Sequence, residues 1–159
     1  MKIKPRIIGV IGSSASSQAG LDLAFQVGQG IANAGAVLVT GGLGGVMESA
    51  SRGCAEAGGL VLGILPSVDS DTANPYVDIT IPSGMGHARN ILVAQTAQAL
   101  IAIEGSLGTL SEIAIGLKIG RAVFLLGSEL RVEGAVPVET AHMAVNAALR
   151  ALEEGSNDR

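Results

Sequence analysis

The sequence contains no tryptophan and only three aromatic side chains, Phe25, Tyr76 and Phe124. Stacking platforms for single-stranded nucleic acid are therefore scarce. Positive charge is also in short supply: ten Lys and Arg residues are scattered against fourteen Asp and Glu, for a net charge of −4. No basic patch marks a polyanion partner, so no nucleic acid is expected to bind. Cysteine is represented by Cys54 alone, which excludes an intrachain disulfide and a thiolate-rich metal site. In its apolar, helix-like segment Cys54 reads as a small buried hydrophobe rather than a nucleophile. No apolar run approaches the ~18 residues that would cross a bilayer. The run from Ile7 to Gly12 is shorter than the ~7–15 residues of a secretory signal core, so a cytoplasmic chain without membrane association is expected. His87 and His142 lie far apart with no second ligand at helical spacing, and Asp69 and Asp71 read as a solvated turn, so no metal is required.

What the chain does have is aliphatic surface and glycine. Hydrophobic residues make up 48% against 15% charged, enough for one well-buried core in 159 residues. Strands are expected at residues 7–11, 36–39, 60–65, 77–81, 99–103 and 122–126; apart from 77–81, which alternates, these are continuous apolar runs, as in strands covered on both faces. Helical patterns at residues 17–34, 45–57, 87–97, 110–119 and 139–153 lie between and after them. This alternation predicts an α/β fold: a single Rossmann-like, doubly wound domain over 1–155 with a mostly parallel sheet and helices on both faces. Residues 156–159 read as a frayed tail, and 127–137 as an irregular connection.

Glycines follow directly on three of these strands: Gly12 after the first, the Gly41-Gly42-Leu43-Gly44-Gly45 cluster after the second, and Gly105 and Gly108 after the fifth. In open α/β sheets, ligands bind at the carboxyl ends of strands. Glycine there lets backbone N–H groups approach an anion, and the following helix adds its positive dipole end. Simple tight turns would need the same residue at one such loop. Three loops on one edge point to a phosphate. The familiar phosphate motifs are nevertheless absent. The first loop lacks G-x-G-x-x-G and the second strand ends in Thr40, against a conventional NAD enzyme; no P-loop and no G-x-S-x-G serine-hydrolase motif occurs.

Three segments, "VTGGLGGVMESASRGCAEAGGLVLGILP" (39–66), "GMGHARNILVAQTAQALIAI" (84–103) and "EGSLGTLSEI" (104–113), resemble the LONELY GUY (LOG) superfamily, whose members were once called lysine decarboxylases. The likeness is nearest the branch that includes molybdenum cofactor carrier proteins; lysine decarboxylation is not implied. Of the superfamily pattern PGGxGTxxE, the chain keeps Gly105, Gly108, Thr109 and Glu112, with Glu104 for the proline and Ser106 for the second glycine. The Arg-Lys pair of the enzymatic members aligns with Arg89-Asn90. The resemblance implies ligand or phosphate contacts from Gly12, Ser13, Gly41, Gly42, Gly44, Gly45, Met47, Arg89, Asn90, Gly105, Ser106, Leu107, Gly108 and Thr109. It implies catalytic roles for Glu112 and Arg89 only if the chain is hydrolytic. No resident cofactor is required; the ligand implied is a bound nucleotide or molybdenum cofactor, in a homodimer or homotetramer.

The residue chemistry stands beside this resemblance. A carboxylate can stabilise an oxocarbenium-like state during N-glycosidic cleavage, and arginine can clamp a phosphate bidentately. Arg89 reads equally as an exposed helix residue. Glu104 could face the crevice and repel phosphate or pair with an arginine, and Thr109-x-x-Glu112 is also a capping box. Gly44 and Gly108 are expected to resist substitution, through positive φ or close anion approach. Three functions follow: a nucleotide- or pterin-binding carrier, a nucleoside 5′-monophosphate phosphoribohydrolase, or a structural oligomer module.

Overall fold

The structure, a computed structural model, describes residues 4–157. Strands β1 (Ile7–Gly12), β2 (Val37–Thr40), β3 (Val61–Leu65), β4 (Ile79–Pro82), β5 (Ala99–Ile103), β6 (Ala122–Leu126) and β7 (Val136–Val138) form one sheet. Helices α1 (Gln18–Asn33), α2 (Val46–Glu56), α3 (Arg89–Thr96), α4 (Leu107–Lys118) and α5 (Ala141–Asn157) cover it. All strand pairs are parallel, in the order β4-β3-β2-β1-β5-β6-β7. The expected α/β, Rossmann-like architecture is present, with the sheet wholly rather than mostly parallel.

All five residues of β5 are buried, because its two faces meet different helices. On one side Ile8, Val10, Leu38 and Ile101 pack with Ala24, Val27 and Ile31 of α1, Ala50 and Cys54 of α2, and Ala144 and Ala148 of α5. On the other, Ile11, Val39, Leu100 and Ala102 pack with Val93 and Ala94 of α3 and Ile113 of α4. The period-two alternation of each strand thus feeds both cores. Cys54 is buried as expected, and burial pushes its thiol up to about 11.

Two features differ from the sequence reading. The connection at 127–137 leads into β7, which pairs with β6 through Phe124↔Val136 and Leu126↔Val138. The last helix continues through Gly155 to Asn157, within the stretch expected to fray; residues 158 and 159 lie outside the described residues. Among the described residues no helix is long and apolar enough to cross a membrane.

Helices α1 and α2 touch backbone to backbone. A Cβ at Gly28 would collide with the carbonyl of Ala50, and one at Gly53 with the carbonyl of Phe25. Backbone cannot swing aside as a side-chain tip can, so Gly28→Val is expected to cost roughly 3 kcal/mol by overpacking. The loss should be read as a lower urea midpoint at constant slope. Gly155→Ala, in open space within α5, should leave the midpoint unchanged or raise it slightly.

Candidate functional site

The chain order reverses at β1, whose neighbours are β2 on one side and β5 on the other. The crevice beyond the carboxyl ends of β1 and β5 is therefore the topological switch point, where such sheets take ligands. A cavity of about 170 Å³ opens there. The loop after β1 contributes Gly12 and Ser13, the loop after β2 Gly41, and the start of α2 Met47. Arg89 and Asn90 enter from α3, and Ser106, Gly108, Thr109 and Glu112 from the start of α4.

Five residues grouped with these by sequence do not line the cavity. The Gly42 N–H donates to the Thr40 hydroxyl at 3.0 Å, and its carbonyl accepts from the backbone N–H of Asn74 at 2.8 Å. Gly45, at φ 65, precedes α2 where a Cβ would meet Ser13 and Ser14. Gly105, at φ 141, lines a separate surface hollow with Glu129 and Leu130. Gly44 stands in open space, and Leu107, 84% exposed, points to solvent. Neither Gly44 nor Gly108 has positive φ, and no Cβ there would approach another protein atom closer than 3.9 Å, so of the two grounds for resisting substitution the positive φ is absent. Conversely, Ser14 and His87 line the cavity without having been singled out. The signal for His87 was its place two residues before Arg89, leading into the same helix.

Arg89 is not the exposed helix residue it could have been; it is 8% exposed. One guanidinium nitrogen donates to the Asn90 side-chain oxygen, another to the Gly41 carbonyl at 3.3 Å. The Asn90 amide donates to the Ser111 hydroxyl at 3.2 Å, which donates to the Gly108 carbonyl at 2.7 Å. Asn90 accepts from Arg89 while donating to α4. Lysine, having no acceptor, could not make this link.

The guanidinium lies 3.9 Å from Glu112, which is 6% exposed. Burial pushes the Glu112 carboxyl up to about 7, with Arg89 pulling the other way, and burial likewise lowers Arg89 against the pull of Glu112. For both partners, loss of water outweighs a loosely spaced pairing.

The capping-box reading of Thr109 and Glu112 fails. Helix α4 begins at Leu107, so Thr109 sits inside its first turn, and its buried hydroxyl has no hydrogen-bond partner. Arg89 Nε, also buried, has none either. The N-cap Ser106 makes no side-chain cap bond, and neither α3 nor α4 carries an acidic residue in its first turn. The positive ends of both helices thus border the cavity without a compensating anion of their own.

Glu104 does neither thing expected of it. Its carboxylate makes no ion pair with an arginine among the described residues and accepts from the backbone N–H of Ser17, at 3.1 Å, and from the Ser17 hydroxyl. These bonds, the hydroxyl's first, hold its pKa below the ordinary value. Among the described residues no three His, Cys, Asp or Glu side chains gather to hold a metal ion.

Residues 5–152 match the model of the SLOG cluster4 family. An uncharacterized protein of Archaeoglobus fulgidus is 45% identical over 139 residues, covering 87% of this chain and 91% of that one. Among solved structures, the molybdenum cofactor binding protein of the phototrophic bacterium Rippkaea orientalis superposes with a TM-score of 0.89 at 35% identity, over 94% of this chain and 98% of that one. The molybdenum cofactor carrier protein of Chlamydomonas reinhardtii gives 0.87 at 32% identity, over 94% and 99%.

Proposed function

The chain belongs to the SLOG cluster4 family, and on that premise we propose that the switch-point cleft binds the phosphate end of a pterin or nucleotide ligand, as a molybdenum cofactor carrier, and releases it unchanged. The observation that carries this reading is the pair of buried, unpartnered polar atoms, Arg89 Nε and Thr109 Oγ1, beside the uncompensated start of α4. An unmet buried hydrogen-bonding group costs about 1–3 kcal/mol, which a ligand oxygen reached by a small side-chain adjustment would relieve. A phosphoryl group also suits helix N-termini and an arginine fork. At about 170 Å³ the cavity has room for the phosphate end, leaving the ring system at the open rim. The solved structures of cofactor-binding proteins at 35% and 32% identity support the same ligand class.

The hydrolase alternative has one observation in its favour: Glu112, raised to about 7, exchanges protons at neutral pH. Against it, Glu112 is the sole acidic residue lining the cavity among the described residues, its burial favours the neutral form, and Asn90 ties α3 to α4 where the enzymes carry lysine. Our reading also takes the chain as one cytoplasmic domain that assembles with copies of itself. The exposed Val68, Ile79 and Ile81 at the β4 edge supply apolar surface for that assembly.

A nucleoside 5′-monophosphate and its matching nucleoside, used as probes in thermal melting, test the phosphate claim. Ligand at a hundredfold excess over Kd stabilises by about 2.7 kcal/mol. For a chain of this size that is roughly 5–10 °C. We expect this from the monophosphate and little from the nucleoside; equal shifts would refute the claim. Unaltered nucleotide recovered after incubation supports the carrier, whereas free base accumulating over several turnovers establishes the hydrolase.

A further inference from the structure

A second cavity, of about 270 Å³, opens between the starts of α1 and α2, and no residue that lines it lines the cleft. The two helices are tied together there by the Ser49 hydroxyl, which donates to the Leu21 carbonyl at 2.6 Å. Tyr76, the sole tyrosine of the chain, enters from the connection between β3 and β4. That connection is fastened by Asn74, which is 9% exposed. Its backbone N–H donates to the Gly42 carbonyl at 2.8 Å and its side-chain amide to the Leu43 carbonyl at 3.0 Å, while its side-chain oxygen accepts from the Tyr76 N–H at 3.1 Å. The backbone of Tyr76 is therefore fixed against the glycine loop that follows β2.

The polar groups lining this cavity do not satisfy one another. Glu48 and Arg52 stand at i and i+4 on α2, with the carboxylate nearer the N-terminus, the spacing and order that favour a pair. Among the described residues they form no ion pair; the Arg52 guanidinium lies over the Phe25 ring instead, 4.9 Å from its centroid. Neither the Glu48 carboxylate nor the Tyr76 hydroxyl has a hydrogen-bond partner among the described residues. A carboxylate, a guanidinium and an aromatic ring left open on one small cavity match a planar ring better than a simple ion of either sign. A carboxylate accepts two parallel N–H bonds, a guanidinium donates to a carbonyl, and a phenol ring offers its face. We propose that this cavity is a second ligand site, for a heterocycle with a 2-amino-4-oxopyrimidine edge, the edge common to guanine and the pterins. Glu48 takes the ring N–H and the amino group, Arg52 the carbonyl, and Tyr76 the flat face. The inference stands on this cavity and not on the phosphate reading of the cleft.

The test uses pterin and lumazine as fluorescent probes, because lumazine keeps the fused rings and carries a carbonyl where pterin has its amino group. An isolated ring binds weakly, so affinity is read by fluorescence titration rather than by melting. The parent should bind pterin about tenfold or more tightly than lumazine, the scale of a hydrogen bond to a charged group. Glu48→Gln should bring the two to within about threefold, since an amide donates to the lumazine carbonyl as readily as it accepts from pterin. Tyr76→Ala should weaken both about tenfold, the scale of one lost stacking face. Circular dichroism confirms that each variant is folded. Excess inorganic phosphate should leave pterin bound, and adenosine, which lacks the edge, should not displace it. Guanosine separates the two sources of the edge: displacement of pterin supports a site open to purines, and its absence supports one confined to pteridines. A parent that binds pterin and lumazine alike, or neither, would overturn the proposal. Variants that keep the parent's affinities, or displacement of pterin by phosphate or adenosine, would overturn it as well.

Discussion

Replacing Arg89 by alanine is expected to weaken binding of a 5′-monophosphate probe roughly a hundredfold or more, the cost of truncating one partner of a buried, hydrogen-bonded charge pair. The side chain is 8% exposed and held at two points, by the Asn90 oxygen and the Gly41 carbonyl, so its fork is fixed before any ligand arrives. Preorganisation of this kind spares the ligand the cost of ordering a long side chain. Arg89→Lys should not rescue, because a point charge on a flexible stem cannot satisfy both acceptors and face an anion. The fold should survive in both variants, since a buried Glu112 deprived of its partner can take up a proton. Calorimetric titration of parent, Arg89→Ala and Arg89→Lys decides the matter. Binding by Arg89→Ala within threefold of the parent would remove Arg89 from the site.

The second large effect is on pH. Folding raises Glu112 from its ordinary 4.5 to about 7, so folding favours the protonated form. The stability this group contributes is then complete below about 4.5 and lost as the pH rises through about 7. At 1.36 kcal/mol per pH unit, the interval amounts to roughly 3 kcal/mol. The parent should accordingly unfold more readily in urea at pH 8 than at pH 5, and Glu112→Gln should flatten most of that difference. Glu104 works in the opposite sense, its contribution being lost only as the pH falls below the ordinary carboxylate range, so it does not obscure the window. Binding should follow. An ionised Glu112 competes with phosphate for Arg89, so the affinity advantage of Glu112→Gln over the parent should grow from pH 5 to pH 8. The ratio at each pH cancels the ionisation of the phosphate itself. A parallel pH dependence in parent and variant would show that Glu112 does not titrate in this range.

Five of the seven strands were legible because continuous apolar runs such as Ala99–Ile103 have one physical explanation, a strand buried on both faces, and β4 was legible from the alternation Val77-Asp78-Ile79-Thr80-Ile81 at a partly exposed edge. Strand β7 was not. It has three residues, carries Pro137, and lies at the sheet edge, where little apolar patterning is demanded. The glycine loops marked the correct edge of the sheet, and ten of the residues suggested for the site do meet around one cavity. The start of α4 was misread because Thr109 and Glu112 have the spacing of a capping box, while the true N-cap, Ser106, makes no side-chain bond to betray itself. The contact of Glu104 with Ser17 depends on β1 and β5 lying side by side, Gly12 opposite Ile103, and no local pattern encodes that adjacency.

That adjacency also bears on synthesis of the chain. Strand β1 is synthesised well before β5, yet it lies in the middle of the sheet, and its register Gly9↔Leu100 cannot form until β5 has emerged. Through that interval β2 and β3 can pair on one side while the other side of β1 presents unbonded amides and the apolar Ile8, Val10 and Ile11. An open, hydrophobic strand edge is a template for the wrong neighbour. Truncations ending before Ala99 should therefore be the aggregating species in a nascent-chain series, and solubility should return once β5 is free to dock.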